Sequence, residues 1–158
     1  MIIFYEPHRL LLKKLVESDV TFILIGGYAV NYHGFNRPTG DMDIWLRPDN
    51  LNKEKLLPLL RAENFSDESI QHIAELDFVN PVVFHFGKIP LRVDFLTRIS
   101  GVEFDDAFRQ KVFLPIENVQ IPVLHLHHLI LSKISNDRTK DKLDVEELQK
   151  IQLIKKKR

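Results

Sequence analysis

The sequence predicts an α+β (mixed α/β) domain, a mixed and mostly antiparallel sheet flanked by helices, with two helices closing its C-terminal end. Three observations predict it. Short β-branched and aromatic runs are interleaved with segments of helical period along the chain. Two of those runs, 82–87 and 91–97, are separated by Lys88-Ile89-Pro90, the spacing of a hairpin. The 158 residues, 44% of them hydrophobic, suit one domain. A chain of this length buries roughly 70% of its unfolded surface without disulfide or metal staples.

The elements follow in order. Residues 8–17 carry Leu11, Leu12, Leu15 and Val16 at helical spacing. TFILI (21–25) is a continuous apolar run and reads as a buried strand. A short helix is expected over 28–33, after Gly26-Gly27. DMDIWLR (41–47) reads as a strand stopped by Pro48. Residues 49–65 read as a helix with an Asp/Asn cap, and Pro58 within it predicts a kink or break. After the hairpin, 104–111 is a short helix, and 112–116 and 119–124 are short strands. Pro115 and Pro122 mark those two as edges. Residues 125–135 and 140–153 are the closing helices, expected to pack on the sheet, with Asp137 or Thr139 capping the second. The core then spans about 20–124, the C-terminal helices 125–153 and a frayed basic tail 154–158.

Composition excludes several classes. There is no cysteine, so disulfides, thiolate zinc sites and cysteine nucleophiles are out. Twenty-two basic residues balance twenty-two acidic ones, so no strong general affinity for nucleic acid is expected. No apolar run has the length of a membrane span, and the start MIIFYEPHR lacks the pattern of a signal peptide. A cytoplasmic protein is the expectation.

The chemistry concentrates in ILIGGYAVNYHGFNRPTGDMDIWLR (23–47). Side chains alternate along a strand, so Asp41 and Asp43 share one face. Unpaired burial of such charges costs several kcal/mol, and a divalent cation offsets it economically. Asp94 sits between Val93 and Phe95 in the strand-like LRVDFLT. Placed beside the Asp41–Asp43 strand, it completes the carboxylate set that two-metal phosphoryl or nucleotidyl transfer requires. The glycine pair between strand and helix permits close approach of a ligand, and a helix N-terminus suits phosphate. Neither GxGxxG nor GxxxxGK[ST] occurs, so Rossmann and P-loop readings have no support.

Apolar-Gly-Gly, Asp-apolar-Asp-apolar and a later apolar-Asp-apolar resemble the polymerase-beta-type nucleotidyltransferase superfamily. GGYAVNYHGFNRPTGDMDIWL together with SKISNDRTKDKLDVEEL resembles its small bacterial members, related to the abortive-infection and minimal-nucleotidyltransferase antitoxin groups. The resemblance covers nearly the whole chain. It implies the nucleotidyltransferase fold and Mg²⁺-dependent transfer (Mn²⁺ substituting) of a nucleoside monophosphate from an NTP, with release of pyrophosphate. Gly26 and Gly27 match the glycine pair, Asp41 and Asp43 the metal pair, and Asp94 the third carboxylate. The implied acceptor is a hydroxyl on protein or RNA, a cognate toxin or a tRNA end among them.

Other residues join the candidate nucleotide site. Arg37 and Thr39 lie just before the aspartates and contact phosphate or the loop, and a structural salt bridge to Asp41 or Asp43 is an equal reading. Lys133 is an uncomfortable charge on a largely apolar helix, and Lys133, Arg138 and Lys140 are candidate phosphate contacts. Asp141 reads as a structural residue near a helix start. Asn31 and His33 follow the glycines on the expected short helix, where they are candidates to border the nucleotide, with packing the favoured reading for His33. His125, His127 and His128 are dense, but no further ligand stands out to make them a zinc site. Tyr5, Tyr28 and Tyr32 stand open between base stacking and modification. Two further readings accompany the enzyme: a low-turnover nucleotide-binding or antitoxin-like partner-binding module, and a toxin acting on tRNA.

Overall fold

The computed structural model describes residues 2–136 and 138–157; Met1, Asp137, Arg158 and the side chain of Lys140 lie outside the described residues. The element order is α1 (Glu6–Glu17), β1 (Phe22–Ile25), α2 (Gly26–Tyr32), β2 (Asp41–Leu46), α3 (Asn50–Ala62), α4 (Asp67–Glu75), β3 (Val83–Phe86), β4 (Arg92–Leu96), α5 (Phe104–Arg109), β5 (Val112–Ile116), β6 (Val119–Val123), α6 (Leu126–Ile134) and α7 (Thr139–Lys156). Six strands form one sheet in the order β3-β4-β2-β1-β6-β5. The β1–β2, β3–β4 and β5–β6 ladders are antiparallel, and β1–β6 and β2–β4 are parallel. The sheet is therefore mixed and mostly antiparallel, as the patterning predicts.

The two faces differ. Phe22, Leu24, Met42, Ile44, Val93 and Phe95 alternate onto one face and are buried there. Phe84 stacks on Phe95, with centroids 5.1 Å apart, and on Phe78 just after α4, while Phe65 just after α3 packs on Phe86. The other face carries Trp45, against Phe104 of α5, together with the aspartates of β2 and β4. Among the described residues no helix is long and apolar enough to cross a membrane.

Several expectations change. The helix over 50–62 runs unbroken through Pro58. Pro58 and Glu54 are both exposed, so the carbonyl that loses its intrahelical partner faces water. Asp49 caps α3 as expected, accepting from the Asn52 N–H at 2.7 Å. Helix α4 is not anticipated, although Ser66 caps it by accepting from the Ser69 N–H and Asp67 and Glu68 fill its first turn. Of the two proline-bearing strands only β5 is an edge. β6 lies between β1 and β5, and its register with β1 is confined to Leu24 and Val123, beyond Pro122. Helix α7 extends to Lys156, into the expected tail, where Lys155 and Lys156 suit the negative end of the dipole. Its N-cap is Arg138, without a side-chain cap bond, and Thr139 is the first helical residue.

The histidines and tyrosines are largely accounted for by packing. His33 is buried, its Nε2–H donates to the Leu124 carbonyl at 2.7 Å, and burial pushes the ring down to about 4. His125 caps α6, its Nδ1 accepting from the His127 N–H at 3.0 Å. Tyr28 is buried with its hydroxyl 2.7 Å from His8 Nδ1, and Tyr32 donates to the Phe113 carbonyl.

Candidate active site

The β1–β2 hairpin and the β2–β4 pairing build the site. Asp43 is the register partner of Ile25 on one side and of Asp94 on the other, and Asp41 is the partner of Arg92. Parallel neighbours sit about 4.8 Å apart with side chains on a common face. The three aspartates therefore converge, as a neighbouring placement of the two strands requires. Burial, then the charges of Asp94 and Asp41, push the Asp43 carboxyl up to about 6, and Lys133 offsets this only in part. Asp41 Oδ1 is buried without a hydrogen-bond partner. Asp94 accepts from Arg92 Nε at 2.9 Å, a pairing between residues two apart on one strand face.

The glycines make room for this cluster. Gly26 opens α2 at φ +70°, and a Cβ there would lie 2.1 Å from Asp43 Oδ2. A Cβ on Gly27 would lie 2.1 Å from Thr39 Oγ1. Thr39 itself donates to the Asp41 carbonyl at 3.1 Å, and the Arg37 N–H donates to Asn31 Oδ1 of α2 at 3.3 Å, which ties the strap before β2 to that helix. Gly26→Ala is expected to displace Asp43 and strain the turn, lowering both the melting temperature and any activity of the site. Thermal unfolding of that variant beside wild type checks it.

Over the same face lies a cavity of about 280 Å³, lined by Gly26, Asp43, Arg98, Lys133, Arg138 and Asp141 among others. Lys133 is buried and shared between Asp141 at 3.2 Å and Asp144 at 2.9 Å. Arg138 Nε meets the other oxygen of Asp141 at 3.0 Å, while its side chain stays exposed. Arg37 forms two hydrogen bonds to Asp144, at 2.7 and 2.9 Å, and a third to the Pro38 carbonyl. Burial pushes the Asp144 carboxyl up, but the hydrogen bonds and charges of Arg37 and Lys133 outweigh it and hold it below the usual range.

The structure thus gathers Gly26, Asp41, Asp43, Asp94, Lys133 and Arg138, with Thr39 against the turn. Arg37 is turned to Asp144 and ties the strap to α7. The side chain of Lys140 lies outside the described residues. Sequence reasoning does not single out Arg92 or Arg98 as site residues. Arg92 carries a legible signal, a basic residue two positions from Asp94 on a strand. Arg98 follows β4 and enters the cavity through the tertiary fold alone.

A divalent cation suits these donors. The lone buried oxygen of Asp41 and the mutual repulsion at Asp43 both call for positive charge, and hard carboxylates are the donors Mg²⁺ takes. Among the described residues no group of three acidic or imidazole side chains is arranged to hold a metal as it stands. Asp94 is paired with Arg92 at 2.9 Å.

A mixed sheet bearing three aspartates on two adjacent parallel strands, with a glycine turn against the middle one, defines a polymerase-beta-like nucleotidyltransferase fold. Residues 6–158 match the family described as nucleotidyl transferase of unknown function (DUF2204), and the chain belongs to that family. It is a nucleotidyltransferase. The fold is similar to the crystal structure of the lincosamide antibiotic adenylyltransferase LnuA in its lincomycin-bound form. The TM-score is 0.57 at 12% identity, covering 94% of this chain and 98% of that one. No curated protein sequence matches the chain.

Proposed function

We propose that the protein moves a nucleoside monophosphate from an NTP to a hydroxyl acceptor in a Mg²⁺-dependent reaction, with Mn²⁺ able to substitute, and releases pyrophosphate. One observation carries the reading. Asp41, Asp43 and Asp94 crowd onto one face, their repulsion only partly offset at Asp43, beside a cavity walled by Lys133 and Arg138. Asp41 and Asp43 would hold the metal that neutralises the triphosphate, and Asp94 would complete the donor set. When bound there, Mg²⁺ supplies charge neutralisation for the reacting phosphates.

The rest belongs to the chain. Gly26 leaves the backbone open to the triphosphate, and Lys133 and Arg138 face its charge. Asp94 orients the acceptor hydroxyl and takes its proton as the oxygen attacks the α-phosphorus. The new O–Pα bond forms as the bond from Pα to the bridging oxygen of pyrophosphate breaks. Positioning and electrostatics carry the rate. NTP is abundant in the cytoplasm, which is where we place the reaction. The acceptor is a protein or RNA, in line with a toxin–antitoxin or abortive-infection role. The solved structure of LnuA, an adenylyltransferase of lincosamide antibiotics, adds small hydroxylated molecules to the classes to be tried.

A label-transfer assay tests this. Purified protein is incubated with Mg²⁺, each α-labelled NTP in turn, and cell extract with and without RNase, beside the Asp41→Ala/Asp43→Ala protein. Label on a protein, RNA or small-molecule fraction with intact aspartates alone is the expected result, and it names the acceptor class. Metal-dependent NTP binding without transfer to any fraction points instead to the low-turnover nucleotide-binding or partner-binding module.

A further inference from the structure

Register partners form one row across the sheet: Ile25 on β1, Asp43 on β2, Asp94 on β4 and His85 on β3. Residues directly opposite one another in an antiparallel pair share a face, with Cβ atoms about 5 Å apart. Phe84 and Phe86 settle which face this is. Their rings pack on Phe95, Phe78 and Phe65 in the core, so Val83 and His85 take the face that carries Asp94. The His85 side chain is exposed and, among the described residues, engages in no side-chain hydrogen bond or ion pair. β3 is the last strand of the sheet. Nothing among the described strands covers this side of Asp94.

The chemistry gives the row a direction. In nucleotidyl transfer the attacking oxygen and the leaving pyrophosphate lie in line on opposite sides of the α-phosphorus. Gly26, Lys133 and Arg138 line one cavity with Asp43, together with Leu96 of β4 and Arg98, Ile99 and Ser100 just after it, and the lining includes neither Asp94 nor His85. If the triphosphate occupies that cavity, the acceptor comes from outside it, over Asp94 and the open edge. His85 is the next side chain in the row there. We propose that His85 is an acceptor-binding residue, holding the incoming hydroxyl against Asp94 by a hydrogen bond. The inference rests on the nucleotidyl-transfer reading above and assigns its acceptor side.

The test uses the whole chain, α-labelled NTP, Mg²⁺ and cell extract as the acceptor pool. Initial rates are measured against extract dilution, and the half-saturating NTP concentration is measured separately on each protein. His85→Ala is expected to raise the extract concentration needed for half-maximal labelling by about tenfold, the worth of roughly one hydrogen bond, and to leave NTP half-saturation unchanged. His85→Gln, which keeps a hydrogen-bonding group, is expected to recover most of that loss. His85 is exposed, so both variants should melt with wild type, and the melting curves verify it. Labelling by His85→Ala that follows the wild-type dilution curve overturns the assignment while leaving nucleotidyl transfer intact. So does an equal loss toward NTP. A wild-type protein that labels nothing removes the transfer reading and the assignment with it.

Discussion

Asp43→Asn is expected to abolish nucleotidyl transfer and at the same time to make the metal-free protein harder to unfold. Both effects come from one carboxylate. As a ligand of the proposed metal, its loss would forfeit several kcal/mol of transition-state stabilisation, about a thousandfold in rate or more. In the metal-free fold it is a liability, because burial and two aspartate neighbours push its carboxyl up to about 6. The sign is as follows. A raised carboxyl favours the folded state in its protonated form. That advantage is full below the ordinary value of 3.8 and is lost as pH rises through about 6. Near neutrality the native state carries the cost, at most about 3 kcal/mol for a shift of this size. The neutral amide removes it. Melting curves without metal at pH 7.5 should place Asp43→Asn several degrees above wild type, and at pH 4 the gap should close. Added Mg²⁺ should raise the wild-type melting temperature at pH 7.5, far less at pH 5, and should leave the variant unmoved. A variant that melts below wild type at pH 7.5 without metal contradicts the crowding argument.

Asp144→Ala is expected to cost more stability than any surface change in the molecule. Asp144 is fully buried and binds two cations, Arg37 in a double hydrogen bond and Lys133 at 2.9 Å. Its removal leaves Lys133 with Asp141, but leaves Arg37 with the Pro38 carbonyl alone. Stranding a buried charge costs about 3–5 kcal/mol, a large part of the 5–15 kcal/mol that ordinarily holds a domain together. Asp144→Asn should cost less, since an amide oxygen still accepts from Arg37. The double change Arg37→Met/Asp144→Leu should recover most of the loss, because an apolar pair needs no counter-charge. Urea midpoints for the four proteins measure this. The stabilisation from Asp144 is present above about pH 4 and is lost as pH falls through its depressed native value. A loss under about 1 kcal/mol for Asp144→Ala would mean that Arg37 finds another partner.

The two predictions set a site that carries a cost beside a network that stabilises it. On the proposed reading the carboxylates are crowded because transfer needs them together. Helix α6 supplies the buried cation Lys133, which belongs to both: it lines the cavity with Asp43 and is held by Asp141 and Asp144.

Much of this was legible in the residues. Period-two alternation put Asp41 and Asp43 on one face, and the apolar flanks of Asp94 marked it as a strand residue. The Lys88-Ile89-Pro90 spacer announced the hairpin that became β3 and β4. The glycine pair marked a backbone that side chains would obstruct, although the obstruction proved to be Asp43 and Thr39 themselves. These are local facts, carried by spacing and by residue type. The Ser66 cap and acidic first turn of α4 are equally local signals.

Other features had no local signal. Alternation assigns a face to Asp94 but not a neighbouring strand, and only the parallel β2–β4 ladder brought it beside Asp43. Arg37 and Asp144 are 107 residues apart, and nothing near either one names the other. Arg37 was therefore as good a phosphate contact as a salt-bridge partner until the strap closed on α7. His85 was one polar residue in an aromatic run until the register set it opposite Asp94. By itself the sequence determined which residues are candidates for the chemistry and which way each strand turns them, because alternation and backbone freedom act over a few residues. The tertiary structure decided which carboxylates and cations meet, because pairing across a sheet and between helices is settled by the packing of the whole chain.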